Sequence, residues 1–410
     1  MATQQIDKDV LRAETMLALA REITGLHDVG DMRWYEPASR WLDAVIAEAP
    51  LSAEGTVSLQ QSMLVPITTR LRIADLVRRH PEILDQDVSD PVIVVGMPRT
   101  GTTKLQRALA SDPEVQSLPL WRLLNPVPLD GEGPGENHAR MAMAEGMSGQ
   151  LREHFPDFFA GHPITALEPE EEAFAVEFDT QLSVGRAQVP SYLDWWMARP
   201  HSERAHMYDY LRTLLQAVQW QDGCPDRPFV LKSPMHLGEL PCLAAAFPHA
   251  TVVNTHREIE TTVASSCRII ELLTGLYADQ IDLDLVGQGV LTLYADDTAL
   301  SITDRAALGD TLHVIDVCYE DVRTDCLDVV RRIWAARNRE LSPETERRIT
   351  GWEQANPQHR FGRHTYSLER YGLTTEAVLT AFGPYLNQFP MLARANASPP
   401  LDSRNRTDKL

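Results

Sequence analysis

The sequence predicts a three-layer α/β fold built on a central parallel sheet, and three observations carry that prediction. Four short apolar runs rich in β-branched residues recur along the chain, each gives way to a segment of helical period, and the first runs straight into a glycine-bounded turn. Strands that alternate with helices lie parallel and are buried on both faces. Ligands then collect at the carboxyl edge of the sheet.

From residue 7 to residue 80, apolar positions recur every three or four residues, as in "VLRAETMLALAREITG" and "LVPITTRLRIADLVRRH". Residues 1–88 are therefore expected to form a helical N-terminal cap, ended by the prolines and acids of "HPEILDQDVSDP". The run "PVIVV" opens a domain expected over residues 89–395, and helical spacing resumes in "TTKLQRALASDP". Residues 130–225 interrupt the alternation with an aromatic, acidic insertion, expected to be helical and to lie over the ligand edge of the sheet. Three more strands are expected in "PFVLKSP", "ATVVNTHR" and "LHVIDVCYED". Residues 396–410 have little to bury and are expected to form a loose tail.

A chain of 410 residues, 43% of them hydrophobic, can bury a large core. No window approaches the ~18 to 20 apolar residues that span a bilayer, and "MATQQIDKDVLRAE" lacks a signal-peptide core, so a cytoplasmic protein without a membrane span is expected. Five cysteines without CxxC spacing suggest neither a disulfide framework nor a zinc motif. A formal charge of −20 repels nucleic acid, so no such partner is expected, and an anionic ligand must be held by a few concentrated cations. The sequence is compatible with a homo-oligomer.

Those cations are sought first in "GMPRTGTT". Gly96 and Gly101 have the spacing of the triphosphate loop GxxxxGK[ST], but Thr102 stands where the lysine belongs and Thr103 follows it. The cation sits earlier, at Arg99, inside the turn. Strand, turn and helix still aim amide N–H groups and a helix dipole at one point, worth ~0.3 to 1 kcal/mol per favourable charge. The lysine and hydroxyl geometry that serve magnesium are gone. A phosphate-like donor used without metal is expected, and no metal ligand is assigned.

"GMPRTGTT" resembles the loop that holds the 5′-phosphosulfate of PAPS, 3′-phosphoadenosine 5′-phosphosulfate, in sulfotransferases. The segment "LKSPMHLGELPCLAAAFPHATVVNTHREIETTVASS" is similar to the second half of that family's core, and "GRHTYSLERYGL" to a segment of its bacterial members. The resemblance covers roughly residues 88–385 and is closest to the bacterial branch that shares its pattern with protein-tyrosine sulfotransferases. It implies a P-loop-like fold, PAPS as donor, adenosine 3′,5′-bisphosphate as product, and a small-molecule alcohol or phenol as acceptor.

The resemblance also assigns residues. Arg99 is implied to contact the sulfuryl group or bridging oxygen, with Thr100, Gly101, Thr102 and Thr103 supplying donors around it. Arg257 and Ser265, eight residues apart, are implied to hold the 3′-phosphate; their plain alternative is a strand-end arginine and a core serine. Lys232 is implied to neutralise the transferring group, and Arg363 with His364 to close over the nucleotide. An apolar acceptor surface is suggested by Tyr192, Trp195, Trp196 and the phenylalanines of "HFPDFFAGH", which could equally form the core of the insertion.

The branch commonly carries a glutamate base in a "WE" pair about twenty residues beyond the loop. Here the pair is Trp121 and Arg122, and an arginine stays protonated. His236, four residues after Lys232, is the first candidate in its place and His162 the second, since an ordinary imidazole accepts a proton at pH 7. Glu170, Glu171 or Glu172 could act directly or orient either histidine. Two rival functions remain open from sequence: a magnesium-ATP-dependent small-molecule kinase with a degenerate loop, and a catalytically inactive nucleotide-binding protein.

Overall fold

A computed structural model describes residues 8–129, 131–133, 135–179, 185–356 and 367–392. Five parallel strands form one sheet: β1 Val92–Val95, β2 Gln116–Ser117, β3 Phe229–Lys232, β4 Thr251–His256 and β5 His313–Cys318, in the order β2-β3-β1-β4-β5. Val92 pairs with Val230 on one side and Thr251 on the other, so β1 is central. The chain leaves β1 where the strand order reverses. That crevice is the default ligand site of an open α/β sheet.

Alternation along each strand divides the core into two layers. Val92, Val94, Val230 and Val253 pack beneath Leu105, Leu109, Val330 and Trp334, whereas Ile93, Val95, Leu231 and Val252 pack against Leu211, Leu215, Leu243 and Val263. Helices on both faces complete the three layers expected from sequence. The four apolar runs are all strands; β2, two residues long and polar, has no apolar signal and was not anticipated. The helix Leu283–Leu308 was also missed, because its buried face carries Asp297, Thr298, Ser301 and Asp304 among the apolar residues and blurs the period.

Helices α1 (Ala13–Thr24), α2 (Tyr35–Glu48) and α3 (Ala53–Arg79) form the N-terminal part, whose core holds Trp34, Trp41, Leu59 and Met63. Tyr192 and Trp196, 2% and 1% exposed, belong to that same core, with Trp195 packed against it. The expectation of an acceptor surface at these three residues is corrected accordingly: they dock the insertion onto the N-terminal helices. Phe158 and Phe159 are buried as well. No helix of the described residues is long and apolar enough to cross a membrane.

Candidate active site

β1 ends at Val95, the chain turns through Gly96 to Gly101, and α4 (Thr102–Ala110) begins. Both glycines are required. Gly96 has φ +140, and a Cβ there would lie 2.5 Å from Thr255 Oγ1 and 2.7 Å from its carbonyl oxygen. Gly101 caps α4 at φ +89. Arg99 between them also has positive φ, +72, which costs an L-residue ~1 to 2 kcal/mol and is held by the surrounding contacts. Thr100 Oγ1 donates to Met97 O at 2.7 Å and meets Thr255 Oγ1 at 2.6 Å, pinning the turn to β4.

The arginine's side chain is fixed at both ends. Nε donates to Ser265 Oγ at 3.1 Å, and a terminal nitrogen donates to Gly161 O at 3.0 Å. Arg257, just past β4, donates to Arg99 O at 2.8 Å while its guanidinium lies 4.2 Å from the Tyr319 ring. Arg99 and the pair Arg257 and Ser265 therefore meet around one turn. Thr102 and Thr103 open α4, whose first amides have no intrahelical partner and point into the same crevice. Lys104 turns away to pair with Glu353 at 2.7 Å. Arg363 and His364 lie outside the described residues.

Three consecutive glutamates each take a different basic partner. Glu170, fully buried, accepts from Arg107 at 2.8 Å and faces His162 Nε2 at 3.5 Å. Burial alone would raise its carboxyl pKa, but His162, Lys232 and Arg107 outweigh burial and hold it at about 2. Glu171 accepts from Lys232 Nζ at 2.6 Å, and Glu172 accepts from the Lys232 amide at 3.0 Å. Lys232 sits at the end of β3 with its side chain wholly buried.

The two histidines differ in what their rings can still do. His236 is 0% exposed; Nε2 meets Glu172 and Nδ1 meets Tyr208 Oη at 2.8 Å. Burial, then Glu239, push the Tyr208 phenol well above its usual range, so it meets the ring as a neutral hydroxyl. Both nitrogens are engaged. The His162 side chain keeps 21% exposure and turns Nε2 to Glu170. Its neighbour Gly161 holds Arg99, which places His162 beside the loop.

Arg122, in the place of the branch's glutamate, donates to Asp222 at 2.7 Å and stacks near Trp121, 5.2 Å from the ring. It serves the packing of the insertion. Arg107 was missed in the sequence, although it lies on α4 four residues after Thr103 and hence on the same helix face.

Comparison with known proteins bears on the family and the fold. A family model described as "Sulfotransferase family" matches residues 91–343. The crystal structure of sulfotransferase STF9 from Mycobacterium avium superposes with a TM-score of 0.82 at 26% identity, covering 93% of this chain and 97% of that one. Sulfotransferase STF1 from Mycobacterium tuberculosis H37Rv gives 0.74 at 28% identity, covering 92% and 99%. No curated protein matches. With more than half its length matched by the family model, the chain belongs to the sulfotransferase family.

Proposed function

We propose that this sulfotransferase moves a sulfuryl group from PAPS to the hydroxyl of a small alcohol or phenol, leaving adenosine 3′,5′-bisphosphate. The observation that carries this reading is the direct contact of Arg99 with Ser265 and of Arg257 with the Arg99 carbonyl. Groups assigned to the two ends of one donor converge on one turn. The cradle fits an anion: Gly96 lets the turn pack directly against Thr255, and the first amides of α4 lack intrahelical partners. Residues 89–395 form the catalytic unit in this reading, with residues 130–225 covering its acceptor side.

When bound, PAPS supplies an activated S–O bond whose cleavage places negative charge on the bridging oxygen. Arg99 and the amides of α4 stabilise that charge, and a planar guanidinium can donate to two oxygens at once. Lys232 has three N–H donors, of which one serves Glu171, so two remain for the transferring group. Arg257 and Ser265 bind the 3′-phosphate.

We place the base at His162 rather than His236. Its Nε2–H faces the ionised Glu170, leaving Nδ1 to take the acceptor's proton as the new oxygen–sulfur bond forms. Glu170 then stabilises the imidazolium, and His236 with Glu172 positions Lys232. The test is incubation with PAPS and a mixture of phenols and alcohols, with products read by mass spectrometry. Sulfate esters with stoichiometric bisphosphate are expected; magnesium-dependent ATP turnover with PAPS left untouched would overturn the reading.

A further inference from the structure

A second cluster of chemically competent side chains lies outside the machinery described above. It joins three segments: His201 in the short helix His201–Arg204, Glu239 and Cys242 at the start of the helix Leu240–Ala246, and Asp304 near the end of Leu283–Leu308. His201 Nδ1 lies 3.2 Å from Glu239 Oε2, and the Cys242 thiol donates to His201 O at 3.3 Å. One donor atom from each of His201, Glu239 and Cys242 lies within 4.8 Å of the other two. Glu239 and Cys242 are 1% and 6% exposed, while the His201 side chain retains 27%, enough to admit an ion from solvent.

Two further features point to a cation. Asp304 Oδ2 is buried without a hydrogen-bond partner among the described residues and stands 3.4 Å from His201 Nε2. Such a carboxylate behind the far nitrogen is the usual support of a metal-bound histidine. The cluster also holds two carboxylates against one permanent cation, Arg204, which pairs with Glu239.

We propose that His201 Nδ1, Glu239 and Cys242 Sγ form a zinc site, with Asp304 accepting the His201 Nε2–H and water completing the tetrahedron. A mixed nitrogen, oxygen and sulfur set suits zinc rather than magnesium or calcium, which prefer oxygen alone. The His201 to Glu239 spacing already suits two ligands of one ion with bonds of ~2.0 to 2.2 Å, and the thiol closes in as it loses its proton to solvent. Residues 201, 239 and 242 show no motif because the site is assembled by the fold. The ion staples three helices together and takes no part in sulfuryl transfer.

Protein stripped with EDTA and desalted is titrated with zinc against a chromophoric chelator, as wild type, His201→Ala, Cys242→Ser and, as control, Cys224→Ser. One equivalent is expected in wild type and control, with affinity at least tenfold weaker in the other two. Cobalt in the stripped wild-type protein should give a thiolate charge-transfer band that Cys242→Ser lacks. The band in wild type does not depend on any variant folding. No zinc uptake by wild type, uptake unchanged in His201→Ala and Cys242→Ser, or cobalt bound without a thiolate band would each overturn the proposal.

Discussion

Glu170, wholly buried, lies 3.5 Å from Nε2 of His162, whose neighbour Gly161 accepts a hydrogen bond from Arg99. A charged carboxylate thus stands behind an imidazole that flanks the loop. In the proposed mechanism this imidazole takes the acceptor's proton, a role that Arg122, standing in place of the branch's glutamate, cannot fill.

His162→Ala is expected to lower kcat by ~10² to 10⁴ and leave the affinity for adenosine 3′,5′-bisphosphate unchanged. Steady-state kinetics with calorimetry on the same preparation checks this. Undiminished turnover would remove His162 from the mechanism.

The pH dependence of stability should reveal Glu170. Its folded pKa of about 2 lies below the ordinary 4.5, so its contribution is complete above about pH 4.5 and is lost as pH falls through the folded value. The displacement corresponds to about 3 kcal/mol at neutral pH. Urea unfolding of wild type and Glu170→Gln should differ by about that much at pH 7 and by clearly less at pH 3. Equal differences at both would contradict the assignment.

Arg257→Ala is expected to weaken binding of the 3′-phosphorylated nucleotide tenfold or more and to leave its 3′-dephosphorylated analogue almost unaffected. Competitive calorimetry with the pair reads the difference. A parallel loss for both ligands would place Arg257 elsewhere on the nucleotide.

Gly96→Ala meets Thr255 backbone and side chain at under 3 Å and adopts a φ that L-residues avoid. A stability loss of ~1 to 3 kcal/mol and failure to bind the bisphosphate are expected. Chemical denaturation and a thermal-shift titration check both.

What the sequence made legible and what it hid divide by range. The loop is local: two glycines at fixed spacing, an apolar strand before them and a helix after. Arg257 and Ser265 were equally visible because strand end and helix face fix their relation. The different surroundings of His236 and His162 were not, because they depend on Glu172 and Tyr208 closing on His236 from 64 and 28 residues away in sequence. Likewise the sequence left Tyr192 and Trp196 between an acceptor surface and a core, and their contact with the distant N-terminal helices decides for the core.

The central claim, that the loop around Arg99 binds the donor nucleotide without a divalent ion, is tested most directly by calorimetric titration with adenosine 3′,5′-bisphosphate in excess chelator. One-to-one binding by wild type, weakened at least tenfold in Arg99→Ala, is the predicted result. No binding in chelator, together with tight magnesium-dependent binding of ATP, would contradict it.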